Sequence, residues 1–474
     1  MKQSLLLIFL SLLLWQCQNK HNTTETQTGT GVLEGETLAK QYCASCHLFP
    51  TPDQLDKATW TSQTLPNMAA RLGLRVGNYD PFEGVEAVEL PELKAMKVYP
   101  ELPLIKEDEW QKIVAYYQQL APEKLPAQKR NTPIGNEASP FLPEQIKFGK
   151  KEVPQVTLLE FDPEEKTLFI GDNIQLYAFD QGLKTVGSWQ LTSPSSDIAI
   201  TPDGIMVLSI GEFNPSEKKE GVFFPLTLTN GQPAENYVVT DLQRPVHFTI
   251  GDLNEDDQDD LVISSFGNHQ GQLAWYDRYD QNKVSVLSSL PGARKAEIVD
   301  LNRDGKNDIV ALFAQAWEKL VVYYNKGDSQ FEETTLISLP SVHGSSYFEL
   351  IDFNQDGHPD ILMTNGDNWD YSNVPKPYHG VRIYLNDGKN QFSESYFFPL
   401  YGCNEARAID FDQDGDLDIA AIAFYSDELT QGFVYLENDG EMNFKAHFVN
   451  ETACGKWLTM DVGDFNNDGY QDIF

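Results

Sequence analysis

The stretch "DFDQDGDLDI", residues 410–419, has oxygen-bearing side chains at its positions 1, 3, 5 and 9 and glycine at position 6. The same pattern recurs in four further stretches, which are "DLNEDDQDDL" from Asp252, "DLNRDGKNDI" from Asp300, "DFNQDGHPDI" from Asp352 and "DFNNDGYQDI" from Asp464. Their starts lie 48, 52, 58 and 54 residues apart. A period of about 50 residues is typical of propellers and repeat arrays. The sequence therefore predicts a series of similar structural units, each with one acidic loop.

The acidic loops have the composition of cation sites. Alternating carboxylate and amide oxygens wrap a hard cation, and glycine permits the sharp turn with positive φ. An oxygen-only ligand set favours calcium. In the first loop Asp257 replaces the glycine, and aspartate tolerates that conformation. The predicted calcium ligands are Asp252, Asn254, Asp256, Asp260, Asp300, Asn302, Asp304, Asp308, Asp352, Asn354, Asp356, Asp360, Asp410, Asp412, Asp414, Asp418, Asp464, Asn466, Asp468 and Asp472.

The segments around the loops predict strands. An EF-hand loop would need a glutamate at position 12 and a following helix, whereas these loops lead into β-rich runs such as "DIVALFAQ", residues 308–315. The repeats resemble the FG-GAP or VCBS repeats of integrin-like β-propellers, in which each repeat forms a four-stranded blade. Residues 156–180 and 196–214 look like two further blades without ligands. We therefore expect an all-β, seven-bladed propeller over residues 151–474, with its last blade truncated at Phe474.

A second motif lies near the N-terminus, in "YCASCHLFP", residues 42–50. The spacing Cys-x-x-Cys-His is that of c-type haem attachment, with thioether bonds to Cys43 and Cys46 and His47 as proximal iron ligand. A thioredoxin-like redox pair is the alternative, but it should follow a strand, whereas "GETLAKQYCASCH" has the pattern of a helix. The distal iron ligand is predicted to be Met68, with Met96 as the alternative.

The chain divides into segments around this motif. Residues 35–122 have the outline of a small all-α cytochrome c domain that ends in the amphipathic helix "KEDEWQKIVAYYQQLAP". Residues 123–150 are rich in proline and predict a linker. As a whole, the sequence resembles exported bacterial proteins with an N-terminal cytochrome c segment followed by FG-GAP/VCBS repeats. This resemblance covers nearly all of the chain after the first residues.

The first residues have the features of an export signal. Lys2 precedes an apolar run from Leu5 to Leu14 that is too short to span a bilayer. Residues 1–17 resemble a lipoprotein signal peptide that leaves Cys17 as the lipidated residue, with simple secretion as the alternative. Residues 18–34 would form a flexible tether. We expect an exported protein of the cell envelope, in the periplasm or at the outer membrane, whose only membrane contact is this lipid anchor.

Charge and motifs together indicate the function. The chain has 35 Lys and Arg against 71 Asp and Glu, a formal charge of -36 that argues against nucleic acid as a partner. The resemblance implies one-electron transfer through haem c, with a calcium-binding propeller that docks a redox partner protein or a polysaccharide. Two alternatives are a haem-linked oxidoreductase that acts on a sugar in the propeller funnel and a carbohydrate or matrix adhesin.

Other residues are candidates for a site or a cross-link. No nucleophile elbow, phosphate loop or dinucleotide fingerprint is apparent in the sequence. Candidate catalytic histidines are His247, His343 and His379, and candidate pocket residues are Trp369, Tyr371, Tyr378 and Arg382. Cys403 and Cys454 precede consecutive acidic loops, and they are either a disulfide or two free thiols.

Overall fold

The computed structural model describes residues 24–130, 140–149, 151, 153–202, 204–226, 237–367, 372, 374–426 and 432–474, with side chains from residue 31 onward. The predicted lipidation site Cys17 and the candidate pocket residues Trp369 and Tyr371 lie outside these residues. Among the described residues, no helix is both long and apolar enough to cross a membrane.

From Val156 onward, the described chain forms six four-stranded antiparallel sheets, or blades, and each blade uses four strands that are consecutive in sequence. The first three blades consist of β1 Val156–Asp162, β2 Thr167–Asp172, β3 Gln175–Phe179 and β4 Thr185–Gln190; β5 Ser195–Thr201, β6 Gly204–Ser209, β7 Gly221–Leu226 and β8 Val239–Leu242; and β9 Pro245–Gly251, β10 Asp260–Ser265, β11 Gln272–Tyr276 and β12 Val284–Ser288. The other three consist of β13 Ala293–Val299, β14 Asp308–Phe313, β15 Glu318–Asn325 and β16 Phe331–Leu339; β17 Ser345–Ile351, β18 Asp360–Asn365, β19 Gly380–Asn386 and β20 Phe392–Pro399; and β21 Cys403–Ile409, β22 Asp418–Ala423, β23 Phe433–Glu437 and β24 Lys445–Phe448. A hairpin of β25 Val462–Gly463 and β26 Asp472–Ile473 follows.

The predicted number of seven blades is wrong, because the described residues form six. Each acidic loop lies between the first and second strands of a sheet, as the loop from Asp410 does between β21 and β22. The fifth loop, from Asp464, joins two strands of only two residues each, and these strands form a two-stranded sheet. Counting one blade for every acidic loop therefore gave one blade too many.

The hairpin lies between the sixth and first blades. Phe465 packs on Phe161 of β1, with ring centroids 5.8 Å apart, and the Phe161 N–H donates to Asp461 Oδ2 at 2.7 Å. On the other side, Val462 and Ile473 pack on the apolar cluster of the sixth blade. The hairpin thus connects the two ends of the series of blades.

The antiparallel order of each blade sorts the loops into two groups. Loops between first and second strands lie at one end of the blades, and loops between second and third strands lie at the other. We call the first end the acidic end, because it carries the loops that start at Asp252, Asp300, Asp352, Asp410 and Asp464. The opposite end carries the loops that contact the N-terminal part of the chain.

The N-terminal part, residues 24–122, is the helical segment. It contains α1 Thr24–Tyr42, α2 Lys57–Thr59, α3 Leu65–Arg71, α4 Leu90–Ala95 and α5 Glu107–Leu120. Short 3₁₀ turns cover Cys43–Ser45 and Pro52–Gln54, and a π turn covers Trp60–Thr64. Elsewhere, 3₁₀ turns cover Asp277–Tyr279 and Asn450–Thr452. Because α1 begins at Thr24, residues 24–34 are helical where the sequence predicted a tether.

The prediction of a small all-α cytochrome c domain is also wrong. Only α1 and α5 are long helices, and the other described helices of the segment have three to seven residues. Seven prolines between positions 50 and 103 explain the short pieces, since proline interrupts the hydrogen bonds of a helix. The segment still has an apolar core, in which Trp60 contacts Tyr117 with ring centroids 4.2 Å apart.

The helical segment packs on the end of the propeller opposite the acidic end. Glu89 accepts hydrogen bonds from Ser216 Oγ at 3.0 Å and the Glu217 N–H at 2.6 Å. Tyr99 Oη lies 3.1 Å from His269 Nε2, and Tyr378 Oη donates to the Gln54 carbonyl at 2.8 Å. The propeller residues of these contacts lie between the second and third strands of the second, third and fifth blades. The acidic end therefore faces away from the helical segment.

Candidate functional sites

The backbone of the acidic loops has the conformation that the sequence predicted at position 6. Asp257 has φ of 59°, and Gly415 has φ of 103°. Position 4 also has positive φ, between 59° and 64°, although none of its five residues is glycine. Sequence reasoning missed this second left-handed position, because Glu, Arg, Gln and Asn at position 4 do not indicate it.

The aspartate at position 1 organises each loop through backbone N–H groups. Asp300 accepts hydrogen bonds from the Asp304 N–H at 3.0 Å and from the Gly305 N–H at 2.9 Å. The loops that start at Asp352, Asp410 and Asp464 have the same pair of bonds. These bonds curl the loop around its first carboxylate, so that positions 1, 3 and 5 are brought to one side.

The aspartate at position 9 has a structural role. Asp308 is fully buried and accepts hydrogen bonds from the Leu301 N–H at 3.1 Å and the Asn325 N–H at 2.8 Å. Asn325 ends β15, so Asp308 joins the acidic loop to the third strand of its blade. Asp260, Asp360 and Asp418 make equivalent bonds. Burial raises the pKa of Asp308.

The fourth loop has the donor set that best fits a calcium ion. It has aspartate at position 3, where the other loops have asparagine, and ligand oxygens of Asp410, Asp412 and Asp418 lie within 4.8 Å of one another. Burial and the neighbouring carboxylates, Asp414 first among them, raise the pKa of Asp416 to about 6. A bound cation would relieve this repulsion, and carboxylate oxygens are ligands that suit calcium.

The first loop has a cation of its own. Arg278, which follows β11, donates from Nε to Asp256 Oδ2 at 3.0 Å, and its Nη2 bonds the same oxygen. The hydrogen bond from Arg278 lowers the pKa of Asp256. Asp256 is the predicted ligand at position 5 of this loop, so the guanidinium occupies a group that a calcium ion would need. The five loops are therefore not equivalent.

The haem motif lies where α1 ends. Cys43 is half-buried and Cys46 is exposed, and both are free thiols. His47 is buried, and its Nδ1 lies 2.9 Å from the Leu48 carbonyl oxygen, to which it donates. Burial, with a smaller contribution from Arg71, lowers the pKa of His47, so the ring is neutral and Nε2 carries no proton. An imidazole oriented by a backbone carbonyl suits metal ligation, so these residues fit covalent haem.

The two candidate distal ligands lie in different parts of the helical segment. Met68, in α3, packs against the same apolar cluster as Cys43. Met96 follows α4 and packs against a separate cluster around Leu93 and Tyr99. The shared cluster favours Met68 as the residue nearer the haem motif.

The structure separates the three candidate histidines. His247 lies in β9, where its Nε2 is 3.9 Å from Asp197 Oδ2. In the fifth blade, His343 precedes β17 and His379 precedes β19, and the His343 ring stacks on Tyr378 with centroids 4.5 Å apart. Arg382 donates to the Tyr378 carbonyl at 3.0 Å, so it belongs to the same group. Sequence reasoning missed two buried members of this surrounding, Glu318 and Lys376.

Sequence reasoning also missed a ring of titratable side chains around the propeller axis. The first strands of neighbouring blades contact one another, so their side chains line the centre. Five residues at equivalent positions of the first strands form a first axial layer: Asp197, His247, Lys295, Tyr347 and Glu405. A second axial layer lies two residues further along the chain and contains Glu160, Glu297, Glu349, Arg407 and Asp461. The sequence contained one signal of this ring, because several acidic loops have charged residues five and three positions before their first aspartate.

The two cysteines of the propeller do not form a disulfide in the structure. Cys403 is fully buried at the start of β21, whereas Cys454 is exposed. Both are free thiols, as in the second of the two alternatives from the sequence.

Comparisons with known proteins agree with this architecture. The sequence profile of the FG-GAP-like repeat family matches residues 300–363 and 410–474. These two segments are similar to FG-GAP-like repeats. They contain the second and third acidic loops and the last two, which the profile places in the same repeat type. No curated protein matches the sequence significantly.

Solved structures match parts of the chain at low sequence identity and with TM-scores below 0.5. The Dos1 propeller is 10% identical with a TM-score of 0.40, and the match covers 62% of this chain and 69% of that one. A candidate 6-phosphogluconolactonase of Bacteroides fragilis is 10% identical with a TM-score of 0.43, covering 63% and 84% of the two chains. The N-terminal domain of Nup159 is 11% identical with a TM-score of 0.36, covering 68% and 86%.

Proposed function

We propose that this protein is an exported docking protein of the cell envelope, anchored through Cys17, whose acidic end binds a partner protein or polysaccharide when calcium is bound. The observation that carries the proposal is the division of the propeller into two ends. The helical segment packs on loops of one end, whereas the five acidic loops are at the other. A cation-loaded, outward-facing end suits recognition of an extended partner.

The residues of the acidic end explain how calcium would act. Asp410, Asp412 and Asp418 would hold the ion at the fourth loop, and the equivalent residues of the second, third and fifth loops would hold ions there. Bound calcium would neutralise clustered carboxylates and fix the loop surface that a partner contacts. The adhesin function is the same activity with a carbohydrate or matrix polymer as partner.

Calcium titration of the full chain tests this proposal. Calcium should raise the melting temperature, and retention on envelope polysaccharides should require calcium. The double variant Asp410→Asn, Asp412→Asn should lose part of both effects. Asp259→Asn removes one charge from an exposed position of the first loop that is not a predicted ligand, and it is the control. Calcium-independent retention, or an unchanged melting temperature with calcium, would contradict the proposal.

A second function, electron transfer, is favoured by the haem motif. Cys43 and Cys46 would bind haem c covalently, with His47 and Met68 as axial ligands and Met96 as the alternative distal residue. When bound, haem c supplies one-electron transfer between partners. The Leu48 carbonyl holds the neutral His47 ring in one orientation, and the core around Trp60 and Trp110 would exclude water from one side. The partner docked by the propeller would then be a redox protein, or a sugar in the oxidoreductase alternative.

A visible spectrum after expression with the cytochrome c maturation machinery tests this second function. We expect a c-type α band on reduction by dithionite, and its loss in Cys43→Ser, Cys46→Ser. Met68→Ala should alter the oxidised spectrum more than Met96→Ala does. Reduction by an added sugar alone would favour the oxidoreductase, whereas absence of covalent haem would exclude electron transfer at this motif.

A further inference from the structure

A cluster of buried polar side chains lies between the fifth blade and the helical segment. Ser372, Lys376 and His379 have 7%, 1% and 4% of their surface exposed. Gln128 connects the last two, because its Nε2 donates to the His379 carbonyl at 2.7 Å and lies 3.4 Å from the Lys376 carbonyl. The His343 ring stacks on Tyr378, whose hydroxyl bonds the Gln54 carbonyl. We call Gln54, Gln128, His343, Ser372, Lys376 and His379 the buried polar cluster.

The side chains of this cluster have hydrogen-bonding capacity that the described residues do not use. His379 Nε2, Ser372 Oγ and His343 Nδ1 are buried, and within the described part of the chain they have no hydrogen-bond partner. The same holds for Gln54 Oε1 and Gln128 Oε1. Lys376 Nζ donates to one described acceptor, the Ser372 carbonyl, at 3.3 Å. A buried polar atom without a partner is costly, and several in one place indicate that another molecule bonds them.

The charges of the cluster indicate a neutral ligand. Burial lowers the pKa of the Lys376 ammonium to about 7, although the carboxylates of Glu318 and Asp367 oppose this shift. Glu318 itself is occupied, because it accepts hydrogen bonds from the Gly344 N–H at 2.7 Å and from Ser345 Oγ at 2.6 Å. Burial also raises the pKa of Glu318 to about 7, so it disfavours the charged form of both groups, and the two side chains make no hydrogen bond to each other. An anionic ligand would add an uncompensated charge beside Glu318.

The unused atoms require a ligand that both donates and accepts. Lys376 Nζ is a donor, the two glutamine oxygens are acceptors, and burial lowers the pKa of His343 to about 3 and that of His379 as well, so each ring has an acceptor nitrogen. A hydroxyl group serves either role, and several hydroxyls on one ring could satisfy donors and acceptors together. The stacked rings of His343 and Tyr378 add an apolar surface for a ring of C–H groups.

We propose that the buried polar cluster binds a neutral, polyhydroxylated ligand the size of a single sugar ring, with Lys376, His379 and Ser372 as its hydrogen-bonding residues. This site is on the opposite side of the propeller from the acidic loops and does not depend on calcium. It also does not require haem, although Gln54 places it against the segment that carries the haem motif.

Calorimetric titration of the full chain with neutral monosaccharides, and with acetate and glucuronate, tests the proposal. At least one neutral sugar should bind in buffer with a calcium chelator, and Lys376→Met and Ser372→Ala should each weaken binding about tenfold or more. Lys326→Met, which alters an exposed lysine of the fourth blade, should leave the affinity unchanged. Binding that survives in Asp410→Asn would separate this site from the calcium-dependent surface.

Two other results decide against the proposal. Binding of acetate or glucuronate without any neutral sugar would identify an anion site instead. Absence of binding to the whole panel would show that water alone fills the cluster. If Lys376→Met fails to fold, Ser372→Ala still tests the site.

Discussion

At the scale of single residues, acidic loops with the same pattern of side chains differ in the positive charge that contacts them. Arg278 bonds Asp256 in the first loop, so this loop already contains a positive charge. We expect Arg278→Met to free Asp256 and to raise the number of calcium ions bound by one, or to tighten binding at this loop. Isothermal titration of both proteins gives the stoichiometry.

The control for this variant is Lys326→Met, which removes a cation paired with Glu332 outside any acidic loop. If both variants bind the same number of ions as the unaltered protein, Arg278 does not compete with calcium. The sequence was sufficient to predict where the acidic loops lie, since their spacing recurs locally. It could not reveal Arg278 as a competitor, because Asp256 and Arg278 are 22 residues apart and meet only when β10 and β11 pair.

At the scale of strands and loops, the aspartate at position 9 is expected to stabilise its blade without calcium. Asp308→Ala leaves the N–H groups of Leu301 and Asn325 without their acceptor in a fully buried place. We expect a loss of about 2 to 5 kcal/mol in the free energy of unfolding, measured with urea in a calcium chelator. Asp304→Ala, at the exposed position 5, should change stability little under the same conditions. Equal losses in both variants would contradict a special role for position 9.

Strand positions could largely be predicted from the sequence, whereas the number of blades could not. Runs such as residues 308–315 contain β-branched and aromatic residues after each loop, and β14 begins at Asp308 as expected. The assignment of a blade to each loop failed at Asp464, where the two strands are two residues long. The prediction of a cytochrome c domain in the helical segment failed for another reason. The spacing of cysteines and histidine indicates an attachment chemistry, but it does not determine how the helices around it pack.

At the scale of the whole molecule, the first strands of all six blades and the hairpin bring titratable side chains to one axis. The carboxylates of Glu160, Asp197 and Asp461 come from neighbouring first strands and from the hairpin. In the second axial layer and beside it, Arg407 Nη2 bonds Glu405 at 2.7 Å, while Lys295 Nζ bonds Glu297 at 2.7 Å. Glu160 has no comparable ion pair among the described residues, so its ionised form is the least compensated of the group.

This arrangement predicts that stability falls as the pH rises. Burial, and then the charges of Asp461 and Asp197, raise the pKa of Glu160 to about 9. Burial also raises the pKa of Asp197 to about 7. In the unfolded chain, both carboxyl groups release their protons at about pH 4. Between that pH and the raised pKa values, the folded state therefore binds more protons than the unfolded state. The free energy of unfolding decreases as the pH rises through this range. The melting temperature in calcium-free buffer should therefore decrease from pH 5 to pH 9. Glu160→Gln should flatten the decrease, whereas Glu164→Gln, exposed in the turn after β1, should not. A pH profile that is the same in all three proteins would show that Glu160 ionises in the folded state as it does in water.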